Sequence, residues 1–83
     1  MINSIAIFFR NISGLRTHYG YSQKYMAQLL GIGVGSLRKI ERGMIPSRLE
    51  IDIVFAVYKH FGISPSVLFS QELFPLFNDE DSV

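Results

Sequence analysis

The stretch GIGVGSLRKIERG, residues 31–43, combines three glycines within five residues with four charged side chains. Glycine-rich loops expose backbone N–H groups and can bind phosphate. A phosphate-binding loop ends in Gly-Lys-Ser/Thr, however, and a dinucleotide site requires Gly-x-Gly-x-x-Gly after a strand. Neither pattern is present, so a nucleotide site is disfavoured, and the spacing of Leu37 and Ile40 indicates a helix instead.

The sequence shows no other arrangement suited to catalysis or metal binding. It has no cysteine, and His18 and His60 lack neighbours that would complete a site. This composition excludes a disulfide framework and thiolate metal sites and supplies no zinc ligand set. Since no carboxylate pair or nucleophile with its base is recognisable either, we expect a protein that is not an enzyme and that holds no metal or cofactor.

Charge is distributed unevenly along the chain. From Arg10 to Arg48 there are seven Arg or Lys residues and one acid, Glu41, whereas from Leu49 to Val83 there are one Lys and six acids. A basic half of this kind favours an anionic partner. The alternative is a solvated surface that is unevenly charged without binding anything.

Short helices are the elements that would position these charges, because apolar residues mostly recur at intervals of three and four. Capping signals, including a Ser-x-x-Glu capping box and a Ser-Pro start, mark their beginnings. The predicted helices are about residues 3–18, 23–30 after the N-cap Ser22, 34–42, one that the box Ser47–Glu50 opens, and one that Ser64-Pro65 opens.

The apolar spacing also predicts which side chains face a core. In the first helix these are Ile5, Phe8 or Phe9, Ile12 and Leu15. In the fourth helix they are Ile51, Val54, Phe55, Tyr58 and Phe61. Ile53 and Val57 lie off this stripe and are therefore expected to be free for another contact.

Residues 22–42 fit a helix-turn-helix unit, in which two short helices are joined by a turn that contains glycine. Ala27 is small where the two helices would cross, and Gly31 can take the positive φ that the turn needs. The wedge between the helices would be filled by Met26, Leu30, Ile32, Leu37 and Ile40.

The stretches LRTHYGYSQKYMAQLLGI, SLRKIERG and FGISPSVLF resemble the helix-turn-helix domains of the phage lambda repressor and Cro type, also called the XRE family. The resemblance covers about residues 8–69. It implies an all-α, five-helix, lambda-repressor-like DNA-binding domain, usually a homodimer, that binds operator DNA and regulates transcription. The chain departs from the family at Gly33, Val34 and Gly35, where the family has a Ser or Thr cap and polar side chains, and by about two extra residues after Gly43.

On this interpretation the third helix lies in the major groove of double-stranded DNA. Lys39 could donate to guanine O6 and N7, Ser36 could pair with several base edges, and Val34 could touch a thymine methyl. Gly35 would let the backbone approach. The outward face would also carry Arg38, and the expected phosphate contacts are Gln23 at the start of the second helix, Lys24, Arg42 and Arg48. A solvated charged face is the alternative, above all for Lys24 and Arg48.

Glu41 lies on the inward face of the third helix, where an unpaired charge would be costly. We expect Arg16 in the first helix to be its partner, and the family resemblance implies the same pairing. The pair is interpreted as structural, because it would orient the recognition helix and has no catalytic task.

The chain is 48% hydrophobic over only 83 residues, which is more than a small monomer hides easily. We therefore expect a homodimer formed by the C-terminal elements, with residues 1–70 as the helix-turn-helix domain and residues 71–83 as an apolar and then acidic tail. The expected interface residues are Ile53, Val57, Leu68, Phe69, Leu73 and Phe74.

Neither a signal peptide nor a membrane span is recognisable in the sequence, so a cytoplasmic location is expected. The alternative to a transcriptional regulator is a protein-interaction module or toxin partner with little specific DNA binding. The Gly-Val-Gly opening of the third helix motivates this alternative.

Overall fold

The computed structural model describes residues 4–46 and 48–73, and these form five α-helices with no strand among them. In chain order the helices are α1 (Ser4–Tyr19), α2 (Gln23–Leu30), α3 (Val34–Glu41), α4 (Ile51–Phe61) and α5 (Pro65–Ser70). The expected all-α, five-helix fold is therefore confirmed. None of the described helices is both long and apolar enough to cross a membrane.

The turn between α2 and α3 is fixed by backbone hydrogen bonds. Gly31 ends α2 with φ 73°, and its N–H donates to the Gln28 carbonyl. The N–H of Ile32 donates to the Ala27 carbonyl at 3.0 Å. Together these bonds form a Schellman motif, which requires the left-handed conformation that glycine adopts without strain. The expected role of Gly31 is confirmed.

The core lies where α1 meets the helix-turn-helix unit, α4 and α5. Both Phe8 and Phe9 are buried, with their rings edge to face at a centroid distance of 5.3 Å, and Phe8 also stacks on Phe69 at 4.8 Å. The buried apolar side chains are Phe8, Phe9, Ile12, Leu15, Met26, Ala27, Leu30, Leu37, Ile40, Ile53, Val57 and Leu68.

Asn11 is a buried polar residue that joins α1 to the end of α5. Its Nδ2 donates to the carbonyls of Leu68 at 2.9 Å and Gln71 at 2.7 Å, and its Oδ1 accepts from the N–H of Leu73 at 2.8 Å. The amide thus satisfies backbone groups that the end of α5 leaves without helical partners. Arg10, one residue earlier, pairs with Glu72 at the surface.

The predicted inner face of α4 is confirmed for Val54 and Phe61, which are partly buried against the core, and wrong for Ile51, Phe55 and Tyr58. Ile53 and Val57 belong to the core, whereas Ile51, Phe55 and Tyr58 are 66%, 61% and 53% exposed. The reason is that apolar residues of IDIVFAVYKHF occupy more than half of the helix circumference, so its periodicity does not decide which part of that wide apolar side faces inward.

The predicted dimer interface requires the same correction. Ile53, Val57 and Leu68 are buried within one chain and cannot form an interface. Phe69 and Leu73 are partly buried against the core, and Phe74 lies outside the described residues.

Several predicted helix ends need smaller corrections. The helix α4 begins at Ile51 with Glu50 as its N-cap and no side-chain cap bond, so Glu50 does not occupy position N3, as a capping box requires. Ser47 and Asn3 lie outside the described residues. The helix α3 ends at Glu41, with Arg42 as its C-cap.

Candidate nucleic-acid interface

The helix α3 has one face against the core and one in solvent. Leu37 and Ile40 are buried, and Gly35, Ser36, Arg38, Lys39 and Arg42 are exposed. At 100° per residue, Gly35 and Lys39 lie nearest the middle of the outward face, with Arg42 beside them and Arg38 at the edge towards α2. A basic surface with one short hydroxyl side chain results.

Val34 does not belong to this outward face. Its side chain is partly buried and packs against the core, on the same side of α3 as Leu37. The N-cap Gly33 makes no side-chain cap bond, and a Cβ at Gly35 would meet nothing within 4 Å. The first turn of α3 therefore presents mainly backbone to the outside.

Arg16 and Glu41 lie together and connect α1 to the end of α3. The Arg16 Nε donates to Glu41 Oε2 at 2.6 Å, and its Nη2 donates to Oε1 at 2.9 Å, a two-bond fork. The third nitrogen, Nη1, donates to the Tyr21 carbonyl at 2.9 Å, just before α2 begins. One guanidinium thus ties the end of α1, the start of α2 and the end of α3.

Gln23 extends this network to the surface. Its Nε2 donates to Glu41 Oε1 at 2.9 Å, and its Oε1 accepts from Arg38 Nε at 3.4 Å. An amide nitrogen has two hydrogens, so one remains to donate outward while the other binds Glu41. The side chain is therefore held in a defined orientation before any ligand arrives.

Gln23, Arg38, Glu41 and Arg42 line an open depression of about 390 Å³ beside the first turn of α2. The carboxylate of Glu41 is already paired with Arg16, so the charges of Arg38 and Arg42 are not cancelled within the depression. The exposed N–H groups and the dipole of the α2 N-terminus add to the positive potential. These features suit an anion such as a phosphate group.

The start of α2 is also held by an aromatic cluster. The Tyr21 ring lies edge to face with Tyr25 at 4.8 Å and stacks with Tyr19 at 5.5 Å, and the Phe61 ring at the end of α4 lies 5.4 Å from Tyr19. Ser22 Oγ caps the helix by accepting from the N–H of Tyr25 at 3.0 Å. The position of Gln23 is therefore supported by packing as well as by hydrogen bonds.

Lys24 and Arg48 are exposed and lie outside the depression. Within residues 4–46 and 48–73, no group of three or more His, Asp or Glu residues is placed to hold a metal ion.

Comparison with known proteins identifies the family. A helix-turn-helix family model matches residues 12–68, which include α2, α3, α4 and the second half of α1. The chain belongs to the helix-turn-helix family of the lambda repressor and Cro type. No curated protein and no solved structure matches the chain significantly. The family is one of DNA-binding domains, and α2 and α3 form the helix-turn-helix unit of this domain.

Two features of this helix-turn-helix domain were missed by sequence reasoning. Asn11 lies three residues after Phe8 and four before Leu15, on the buried stripe of α1, and that spacing could have marked it as a buried polar residue. The contacts of Gln23 with Glu41 and Arg38 depend on the angle at which α2 and α3 cross, for which the sequence carries no direct signal.

Proposed function

We propose that this chain is a sequence-specific DNA-binding transcriptional regulator that acts in the cytoplasm as a homodimer. The observation that carries the proposal is the exposed basic face of α3, held in place by the Arg16–Glu41 pair and the turn at Gly31. In this proposal one α3 from each subunit enters the major groove, and occupancy of the DNA represses transcription. No chemical step is required.

Few side chains of α3 are placed to contact DNA bases. Lys39 lies near the middle of the outward face and can donate to guanine O6 and N7, and Ser36 can pair with several base edges. Because Val34 faces the core, its methyl contact with thymine contributes less than the sequence suggested, and Gly35 contributes close approach of the backbone. Arg42 is a phosphate ligand, and Lys24 and Arg48 are further cations for the DNA backbone.

Gln23 has two tasks in this proposal. Its free Nε2 hydrogen donates to a DNA phosphate at the start of α2, and its Oε1 holds the guanidinium of Arg38 at the edge of the reading face. A pure phosphate contact carries no base information. Because Gln23 also orients Arg38, its removal should change preference at a base pair near Arg38 as well as lower affinity.

The test is selection of binding sites from a random DNA pool, repeated with the Lys39→Ala, Gln23→Ala and Arg38→Ala variants. We expect Lys39→Ala to flatten the preference at one position of each half-site. Gln23→Ala and Arg38→Ala should alter the same other position, since both act through the Arg38 guanidinium. Lys24→Ala is the control, which should lower affinity for all sequences alike.

A second candidate function is a protein-interaction module or toxin partner that keeps the fold and binds DNA weakly. The side-chain-poor first turn of α3 favours it, because Gly33 and Gly35 offer no base contacts. If the random pool yields no enriched sequence while the folded protein binds a partner protein stoichiometrically, this second function replaces the first.

A further inference from the structure

The exposed side of α4 carries an apolar stripe that no described residue covers. It consists of Ile51, Phe55 and Tyr58, spaced by four and three residues and therefore aligned along one face. The opposite face, with Ile53 and Val57, is already in the core. A helix whose core-facing side is already buried has no intramolecular reason to carry a second apolar stripe, so the stripe indicates a contact with another surface.

We propose that the occupant of this stripe is the same stripe of a second copy of the chain, packed antiparallel about a two-fold axis near Phe55. The inference rests on the proposed function for its homodimer and assigns the surface that forms it. Through this α4–α4 contact, Phe55 meets Phe55 of the partner subunit, and Ile51 lies against Tyr58 of the partner subunit.

The charges flanking the stripe favour a second copy in this orientation. Asp52 and Lys59 are exposed and seven residues apart, so they lie on the same side of the stripe and about 10 Å apart along the helix. The midpoint between them falls at Phe55 and Ala56. An antiparallel two-fold arrangement therefore brings each Asp52 to Lys59 of the partner subunit. A parallel two-fold arrangement would place the charged flanks of the two stripes on opposite sides of the interface, where they could not pair.

The size of the stripe sets the expected strength of the contact. Three large side chains, each more than half exposed, offer on the order of 100 Å² each, which is less than the roughly 800 Å² per partner of a standard interface. We expect a dimer with a dissociation constant in the micromolar range or above. Binding of the two subunits to adjacent DNA half-sites should stabilise this dimer.

The first experiment uses the absence of native cysteine. A Phe55→Cys variant places two thiols across the axis and should form a disulfide-linked dimer on mild oxidation. The control is Met44→Cys, because Met44 is equally exposed at 61% but lies outside α4. Cross-linking of the folded Phe55→Cys variant no faster than that of Met44→Cys would overturn the inference.

The second experiment reverses the charges. Asp52→Lys and Lys59→Asp should each raise the dimer dissociation constant about tenfold, because two attractive pairs become repulsive. The double variant restores opposite charges and should return to within about threefold of wild type. Glu50→Lys is the control, because it makes the same charge change near the start of α4 on another face.

Sedimentation over a wide concentration range gives these constants, and circular dichroism checks that each variant is folded. A folded double variant that stays as weak as the single variants overturns the antiparallel contact. Binding to a DNA duplex with one half-site separates this failure from failure of the proposed function. If monomeric variants still recognise the half-site, the proposed regulatory function is retained and only the interface is wrong. If a cross-linked dimer recognises no sequence, the interface is retained and the proposed function is wrong.

Discussion

Removing the Arg16–Glu41 pair should destabilise the domain and loosen α3. The perturbations are Arg16→Met, which removes the charged group but keeps most of the apolar stem, and Glu41→Gln, which removes the charge and keeps the shape, together with the double variant. In Arg16→Met, Glu41 loses both hydrogen bonds that the Arg16 guanidinium donates. In Glu41→Gln, residue 41 loses its charge, but its amide oxygen can still accept from Gln23 Nε2.

The magnitude follows from the exposure of the two side chains. They are 24% and 12% exposed, so the pair lies between a surface ion pair and a buried one. Breaking a buried pair costs about 3–5 kcal/mol and breaking an exposed pair about 0–1 kcal/mol. We expect each single substitution to lower the free energy of unfolding by about 2–3 kcal/mol, and the double substitution by about 1–2 kcal/mol less than the sum of the two.

Urea unfolding followed by circular dichroism measures these free energies. The Arg10→Met substitution is a control, because Arg10 forms an ion pair with Glu72 at the exposed surface and should cost less than about 1 kcal/mol. Because salt screens partly buried pairs less than exposed ones, the Arg16–Glu41 coupling should persist at high salt. If the two substitutions add to within about 0.5 kcal/mol, the pair does not hold the helices as argued.

Three further substitutions test other parts of the structure. Asn11→Ala should lower the free energy of unfolding by about 2–4 kcal/mol, measured in urea, because it leaves two carbonyls and one N–H at the end of α5 without partners. Gly35→Ala should raise the free energy of unfolding by up to about 1 kcal/mol, and with it the melting temperature, since nothing lies within 4 Å of the added Cβ. Gly31→Ala should lower the free energy of unfolding by about 1–2 kcal/mol because of the positive φ. Lys39→Ala should weaken binding to the selected DNA site by about 1–3 kcal/mol without changing stability, and unchanged affinity of the folded variant would remove Lys39 from the reading face.

The elements that the sequence predicted well are those with local signals. The start of α2 is fixed by the side-chain cap of Ser22, and its end by the left-handed conformation of Gly31. Both signals act within one turn of the chain. The inward position of Glu41 follows from the helical period of α3, and its need for a cation pointed to Arg16 across 25 residues. These inferences depend on local geometry and on the cost of an unpaired charge.

The elements that it predicted badly depend on tertiary contacts. In α4 the apolar residues occupy more than half of the helix circumference, so only its packing on α2 and the rest of the core decides that Ile53 and Val57 are inside and Phe55 outside. The start of α4 is another example. Ser47 and Glu50 have the spacing of a capping box, but the helix begins after Glu50, since a box motif permits a helix start without enforcing it.

The two unusual surfaces of the domain are related through the proposed function. The first turn of α3 offers backbone at Gly33 and Gly35 and a core-facing Val34, so each half-site gains few side-chain contacts to bases. A good bidentate base contact supplies about 1–3 kcal/mol of discrimination, which is small against the many competing sites in a genome. A dimer that reads two half-sites doubles this free energy, so weak reading by each α3 makes pairing through α4 a requirement for specificity. Substitutions at Phe55 should therefore reduce discrimination between the selected site and random DNA, even though Phe55 lies outside the reading face.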